Sequence, residues 1–141
     1  MALKNYDSQG ASVTFGTSGL SGKITSISSV DQTREALDIT DLSIAAGEAK
    51  RFIPADIYDP ATFDVEFLYS AASSLPNIAA VAETITITWP KATASGTAAT
   101  FAGTGFIAGR STPEAGVGEI MKMSVSVQWD GETAPAYSTG S

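Results

Sequence analysis

The stretch Ala61-Thr-Phe-Asp-Val-Glu-Phe-Leu-Tyr-Ser70 decides how the chain is read. Phe63, Val65, Phe67 and Tyr69 fall on one side, and Thr62, Asp64 and Glu66 on the other. That period of two belongs to a β-strand with one dry and one wet face. Leu68 interrupts the wet side, which predicts that this end is covered. Asp56, Asp59 and Pro60 lie just ahead and predict a turn, because an Asp side chain bonds nearby backbone and Pro fixes φ.

The same alternation recurs further along. Ile85, Ile87 and Trp89 alternate with Thr84, Thr86 and Thr88 until Pro90 stops the strand. Met121, Met123, Val125, Val127 and Trp129 alternate with Lys122, Ser124, Ser126 and Gln128. The predicted core is therefore Phe63, Val65, Phe67, Ile85, Ile87, Trp89, Val125, Val127 and Trp129. Between these strands, residues 97–109 hold Phe101, Phe106 and Ile107 among Gly103 and Gly105, and glycines inside a strand predict a bulge or a close backbone neighbour.

Upstream, residues 23–30 carry Ile24, Thr25, Ile27 and Val30, a strand whose imperfect spacing predicts a bulge. Residues 34–40 read as a second strand, with Leu37 and Ile39 inward, paired with the first across a turn at 31–33. Residues 41–59 read as a long connection holding Pro54, mixed charges and isolated apolar residues; a connection of this length usually has a job. Over 72–82, Leu75, Ile78 and Val81 repeat at helical spacing, with Pro76 in the first turn, which predicts one short helix. Residues 110–118 form a second long loop.

The expected organisation is a flexible arm over 1–22, in which Val13 and Phe15 make a short extended piece, one domain over 23–130, and a flexible tail over 131–141. The expected fold class is mainly β: a β-sandwich or partly closed barrel of six to seven or more strands with one short flanking α-helix.

Composition narrows the chemistry. The chain of 141 residues has no His, which removes the usual general base, the commonest metal ligand and a Ser-His triad together. It has no Cys, hence no thiol nucleophile and no disulfide framework. Asp64 and Glu66 share a strand face and are the best pair for two-carboxylate hydrolysis, but a solvated face explains them equally well. Asp41, Asp56 and Asp59 could offer oxygen to calcium, yet their spacing fits turn-forming Asp better. Trp89 and Trp129 could stack on sugars, but both sit on the dry side of their strands. Gly103-Thr-Gly-Phe106 lacks the strand-turn-helix setting of a dinucleotide loop. The expectation is a protein that is not an enzyme and needs no cofactor or metal.

The N-terminus shows no apolar stretch of signal-peptide length, and no run approaches a membrane span, so the expectation is a soluble protein made in a cytoplasm, without a membrane partner. A formal charge of −7 opposes nucleic-acid binding through phosphates.

The order of parts then carries a resemblance. A serine-rich first strand, Thr33-Arg-Glu-Ala-Leu-Asp-Ile-Thr-Asp-Leu42, a loop ending Ile53-Pro-Ala-Asp-Ile-Tyr-Asp-Pro60, and Phe63-Asp-Val-Glu-Phe67 resemble the major tail tube proteins of long-tailed, siphovirus-like bacteriophages. The likeness continues through Ile85-Thr-Ile-Thr-Trp-Pro90, Phe101-Ala-Gly-Thr-Gly-Phe106 and the strand to Trp129, and covers most of residues 20–130. Tube proteins of contractile tails and of type VI secretion systems are similar in fold.

The resemblance implies a structural virion protein that forms hexameric rings, which stack into a hollow tail tube conducting DNA during ejection. Its implied partners are further copies of itself, the tail terminator, distal tail and tape-measure proteins, and DNA passing without specific binding. In that setting Asp64, Glu66, Thr84, Thr86, Thr88, Ser124 and Ser126 would face the lumen, where hydroxyls and carboxylates offer phosphate no hold. The inter-ring contact would come from Ile44, Glu48, Lys50, Arg51, Phe52, Ile53 and Ile57, since head-to-tail stacking needs a contact that does not close. A secretion-system tube protein, or a monomeric carbohydrate-binding or adhesion β-sandwich, is the alternative.

Overall fold

Alternating dry and wet residues build the central strands of this protein. The strands are β1 (Ser12–Phe15), β2 (Lys23–Ile27), β3 (Thr33–Asp38), β4 (Phe52–Asp59), β5 (Thr62–Leu68), β6 (Glu83–Thr88), β7 (Thr100–Arg110), β8 (Lys122–Trp129) and β9 (Ala136–Ser138). The computed structural model describes residues 9–17, 23–70 and 77–141. Seven strands form one antiparallel sheet in the order β1-β6-β7-β8-β5-β2, with β9 continuing along β7, while β3 and β4 pair only with each other. The chain is thus mainly β, and the sheet does not close into a barrel.

Register places the apolar residues in continuous rows across one face. Val13 pairs with Ile87, which pairs with Phe101. Ile107 pairs with Val127, Val127 with Phe63, and Met123 with Phe67. Eight of the nine predicted core residues are buried, together with Val13, Phe15, Ile107 and Met123. Each such side chain contributes about 1.5–3 kcal/mol, against a few tenths to 1 kcal/mol for a cross-strand pair on the wet face, so the dry face holds the sheet together. Trp129 stacks on Phe63 at 5.3 Å and meets Phe101 edge-on at 5.7 Å. Its Nε1 is buried without a hydrogen-bond partner among the described residues, a cost of about 1–3 kcal/mol that this packing offsets.

The two glycines inside β7 explain how its neighbours come so close. A Cβ on Gly105 would lie 2.7 Å from the Gln128 carbonyl oxygen, and one on Gly103 would lie 2.7 Å from Pro135 Cα. Only a bare backbone fits there. A bulge between Ile107 and Gly109 lets β7 follow β8, and the expected irregularity in β2 falls between Ile24 and Ser26.

Several expectations are corrected. β2 pairs with β5 rather than with β3, because residues 52–59, read as part of a connection, form a strand that takes the edge of β3. Apolar residues on both sides of β4 erase the period that would have announced it. Leu37 and Ile39 are exposed instead of inward. Asp56 lies within β4, so the turn narrows to Asp59-Pro60-Ala61, where Asp59 Oδ1 accepts from the Ala61 amide at 2.8 Å and holds Ala61 at φ 74°. The short helix expected over 72–82 is not seen: residues 71–76 lie outside the described residues, and 77–82 make a turn closed by the Ala80 amide on the Asn77 carbonyl. Trp89 is 37% exposed, because β6 ends at Thr88 and the dry face opens there; it rests against Tyr137 at 6.1 Å. Strand pairing also reaches past 23–130: β1 and β9 belong to the sheet, and Ser141 bonds to Thr97.

Candidate interaction surface

Antiparallel pairing fixes what lies at each end of the sheet. β2 and β5 are neighbours, and the chain between them runs out as the β3–β4 hairpin, whose tip is the loop over 39–51. The ribbon leaves the sheet at Ile27 and Thr62 and makes no substantial contact with any other strand. A two-stranded ribbon is marginal in water without a surface to lie on.

The ribbon has the composition of a surface awaiting one. Leu37 and Ile53 pair on one face, and Asp38–Phe52, Ala36–Pro54 and Arg34–Tyr58 pair on the other. Leu37, Ile39, Phe52, Ile53, Ile57 and Tyr58 are all exposed, and Leu42 at the tip is fully so. Such a run of uncovered apolar residues marks a contact site more often than an idle surface. Of the residues expected to make an inter-ring contact, Ile44, Glu48, Lys50 and Arg51 lie on the tip loop and Phe52, Ile53 and Ile57 on β4.

The tip is ordered by its own side chains. The Ile39 amide donates to the Arg51 carbonyl at 3.0 Å, and the Arg51 amide donates to Thr40 Oγ1 at 2.9 Å. The Thr40 hydroxyl, and then its amide at 2.9 Å, hold the Asp38 carboxyl below the ordinary carboxylate range. The Ser43 hydroxyl and amide do the same for Asp41. Glu48 Oε2 accepts from the Ala45 amide at 3.5 Å, and Gly47 turns the chain at φ 88°.

The wet face of the sheet is the second surface. Asp64, Glu66, Thr84, Thr86, Thr88, Ser124 and Ser126 all lie on it, opposite the core rows. Asp64 pairs with Ser126 and accepts a short hydrogen bond from its hydroxyl. Glu66 accepts from Thr25 Oγ1 at 3.0 Å and lies 3.7 Å from Lys122 Nζ. Both carboxylates thus have partners on the wet face itself. Asp41, Asp56 and Asp59 are strung along the hairpin, and among the described residues no group of three or more acidic side chains could hold a metal.

A third feature is a cleft of about 830 Å³ on the dry side, lined by Ile24 and Ile27 of β2, Gly10 and Ala11 beside β1, and Ile87, Trp89 and Phe101. Residues 9–11, just ahead of β1, and β2 border the same cleft from the two ends of the strand order. Composition missed the apolar end opposite the hairpin, where Val117, Ile120 and Met121 stand exposed just before β8 and beside the end of β5. Val117 and Ile120 stand outside any repeat and gave no periodic signal, while Met121 continues the alternation of β8 yet is exposed. No helix among the described residues is long and apolar enough to cross a membrane. No protein-family model matches the chain, and neither does any curated protein.

Proposed function

We propose that this chain is a structural subunit of a self-assembling tube, a tail tube protein of a long-tailed bacteriophage virion. The β3–β4 hairpin carries the reading: a ribbon that exposes apolar residues on both faces and makes no substantial contact with any other described strand is built to be covered by a neighbour. Apolar residues exposed at the opposite end of the sheet supply a second, different patch. Two different patches at opposite ends make a head-to-tail contact that propagates instead of closing.

Within a ring, the free edges of β1 and β2 would pair with neighbouring subunits and cease to be edges, as any long-lived β assembly requires. The wet face with Asp64, Glu66, Thr84, Thr86, Thr88, Ser124 and Ser126 would then line the lumen. Its carboxylates repel phosphate and its hydroxyls give no charge to grip, so DNA slides during ejection. The hexameric ring, the sandwich-like closure in the assembled state, and the terminator, distal tail and tape-measure proteins as partners follow from the resemblance to tail tube proteins. Assembly in the host cytoplasm and residence in the virion belong to the same reading, which asks no catalysis of the chain.

Electron microscopy of the purified protein across a concentration series tests this. Rings or hollow tubes are the expected result, and a monomer at every concentration, also with a tail initiator added, would overturn it.

One observation favours a monomeric carbohydrate-binding module: half-exposed Trp89 lies in an uncharged cleft beside Phe101, Gln9 and Gln32. Quenching of tryptophan fluorescence by neutral oligosaccharides, lost in Trp89→Ala, would bring that reading forward.

A further inference from the structure

The hairpin carries two cations without partners. Among the described residues, neither Lys50 nor Arg51 has an ion pair, and both sit beside exposed Phe52 and Ile53. At the other end of the sheet, the loop over 111–121 borders a shallow groove of about 610 Å³ lined by Glu66, Glu114, Glu119, Lys122 and Ile120. Lys122 lies beside Glu66, which leaves the carboxylates of Glu114 and Glu119 without a cation among the described residues. Val117, Ile120 and Met121 stand exposed on the same loop and add an apolar lip. One chain thus holds unpaired cations next to apolar residues at one end and unpaired carboxylates next to apolar residues at the other.

The two cannot meet within a subunit. The ribbon departs at Thr62, whereas the groove borders Glu66 of β5 with Ser124 and Lys122 of β8 beside it, four to six residues further along extended β5, roughly 13–20 Å at the rise of a strand. Apart from each other, β3 and β4 make no substantial contact with the other described strands.

We propose that this groove receives the β3–β4 hairpin of a second copy of the chain, with Lys50 and Arg51 of one copy set against Glu114 and Glu119 of the next, and Phe52 against Ile120. The inference rests on the tube reading in taking the occupant to be a second copy. With a formal charge of −7, copies repel one another at long range, so a local meeting of opposite charge selects the register at which they touch.

A chain without Cys gives a direct test. Ala49→Cys and Val117→Cys are prepared separately, both at exposed positions that leave the four charges in place, then mixed under mild oxidation. A mixed disulfide dimer in excess of either self-dimer is expected. In parallel, Lys50→Glu with Arg51→Glu raises the concentration at which assembly begins roughly tenfold, and adding Glu114→Lys with Glu119→Lys restores it, with circular dichroism unchanged throughout. Tubes with no mixed disulfide and no response to reversal would overturn the groove and leave the tube reading standing. A mixed disulfide without rings or tubes at any concentration would keep the contact and overturn the tube. Neither disulfide nor assembly would overturn both.

Discussion

Leu37 and Ile53 face each other in register across β3 and β4, and both remain uncovered, at 41% and 43% exposure. A directly opposed aliphatic pair normally earns its stability by being buried together. Here the pairing exists and the burial does not, so the stabilisation is held over for a contact with another surface.

Phe52→Ala with Ile53→Ala should therefore separate folding from assembly. Both residues are exposed, so the unfolding free energy should change by no more than about 0.5 kcal/mol, while rings fail to stack. Urea denaturation and electron microscopy of the same sample measure the two effects. Unchanged tubes would remove the hairpin from the stacking contact.

Core substitution should give the reverse. Ile85→Ala removes a side chain with no exposed surface and should cost about 2–5 kcal/mol, whereas Ile57→Ala, at 82% exposure, should leave the denaturation midpoint in place.

Gly105→Ala tests the close approach of β7 and β8. Its Cβ would press on the Gln128 carbonyl oxygen, a backbone atom that cannot rotate away, and should cost about 1–3 kcal/mol. Gly109→Ala meets only Ser126 at 3.8 Å and should be tolerated. Equal losses at both positions would mean that strand propensity, and not contact, sets the cost.

The hairpin tip should loosen in acid. Hydrogen bonds from Thr40 and Ser43 lower the Asp38 and Asp41 carboxyls, so their contribution is present above the ordinary carboxylate value and is lost as pH falls through the lowered ones. Amide resonances of Thr40 and Ser43 should shift together with those titrations, and Asp38→Asn should abolish the response at Thr40 alone.

Asp64→Lys with Glu66→Lys should leave rings intact, since the wet face carries no core residue, but slow DNA release from assembled particles. Ejection at the wild-type rate would take these carboxylates out of the lumen.

By itself the sequence determined which faces of β5, β6 and β8 are dry. Alternation is a local property, and where a strand carries apolar residues on one side only, burying that side is the only way to hide them, as Phe63, Ile85 and Val125 show. The glycines of β7 were legible as a sign of close approach for the same local reason. Tertiary structure decided the rest, because pairing is a choice among distant segments. Val13 and Phe15 make a four-residue strand too short to be read as core until β6 offers its edge. Leu37 reads as an inward residue of its strand, yet β3 takes β4 as its partner and Leu37 stays exposed. A pattern can state that a face needs covering; only the fold determines whether the cover comes from the same chain.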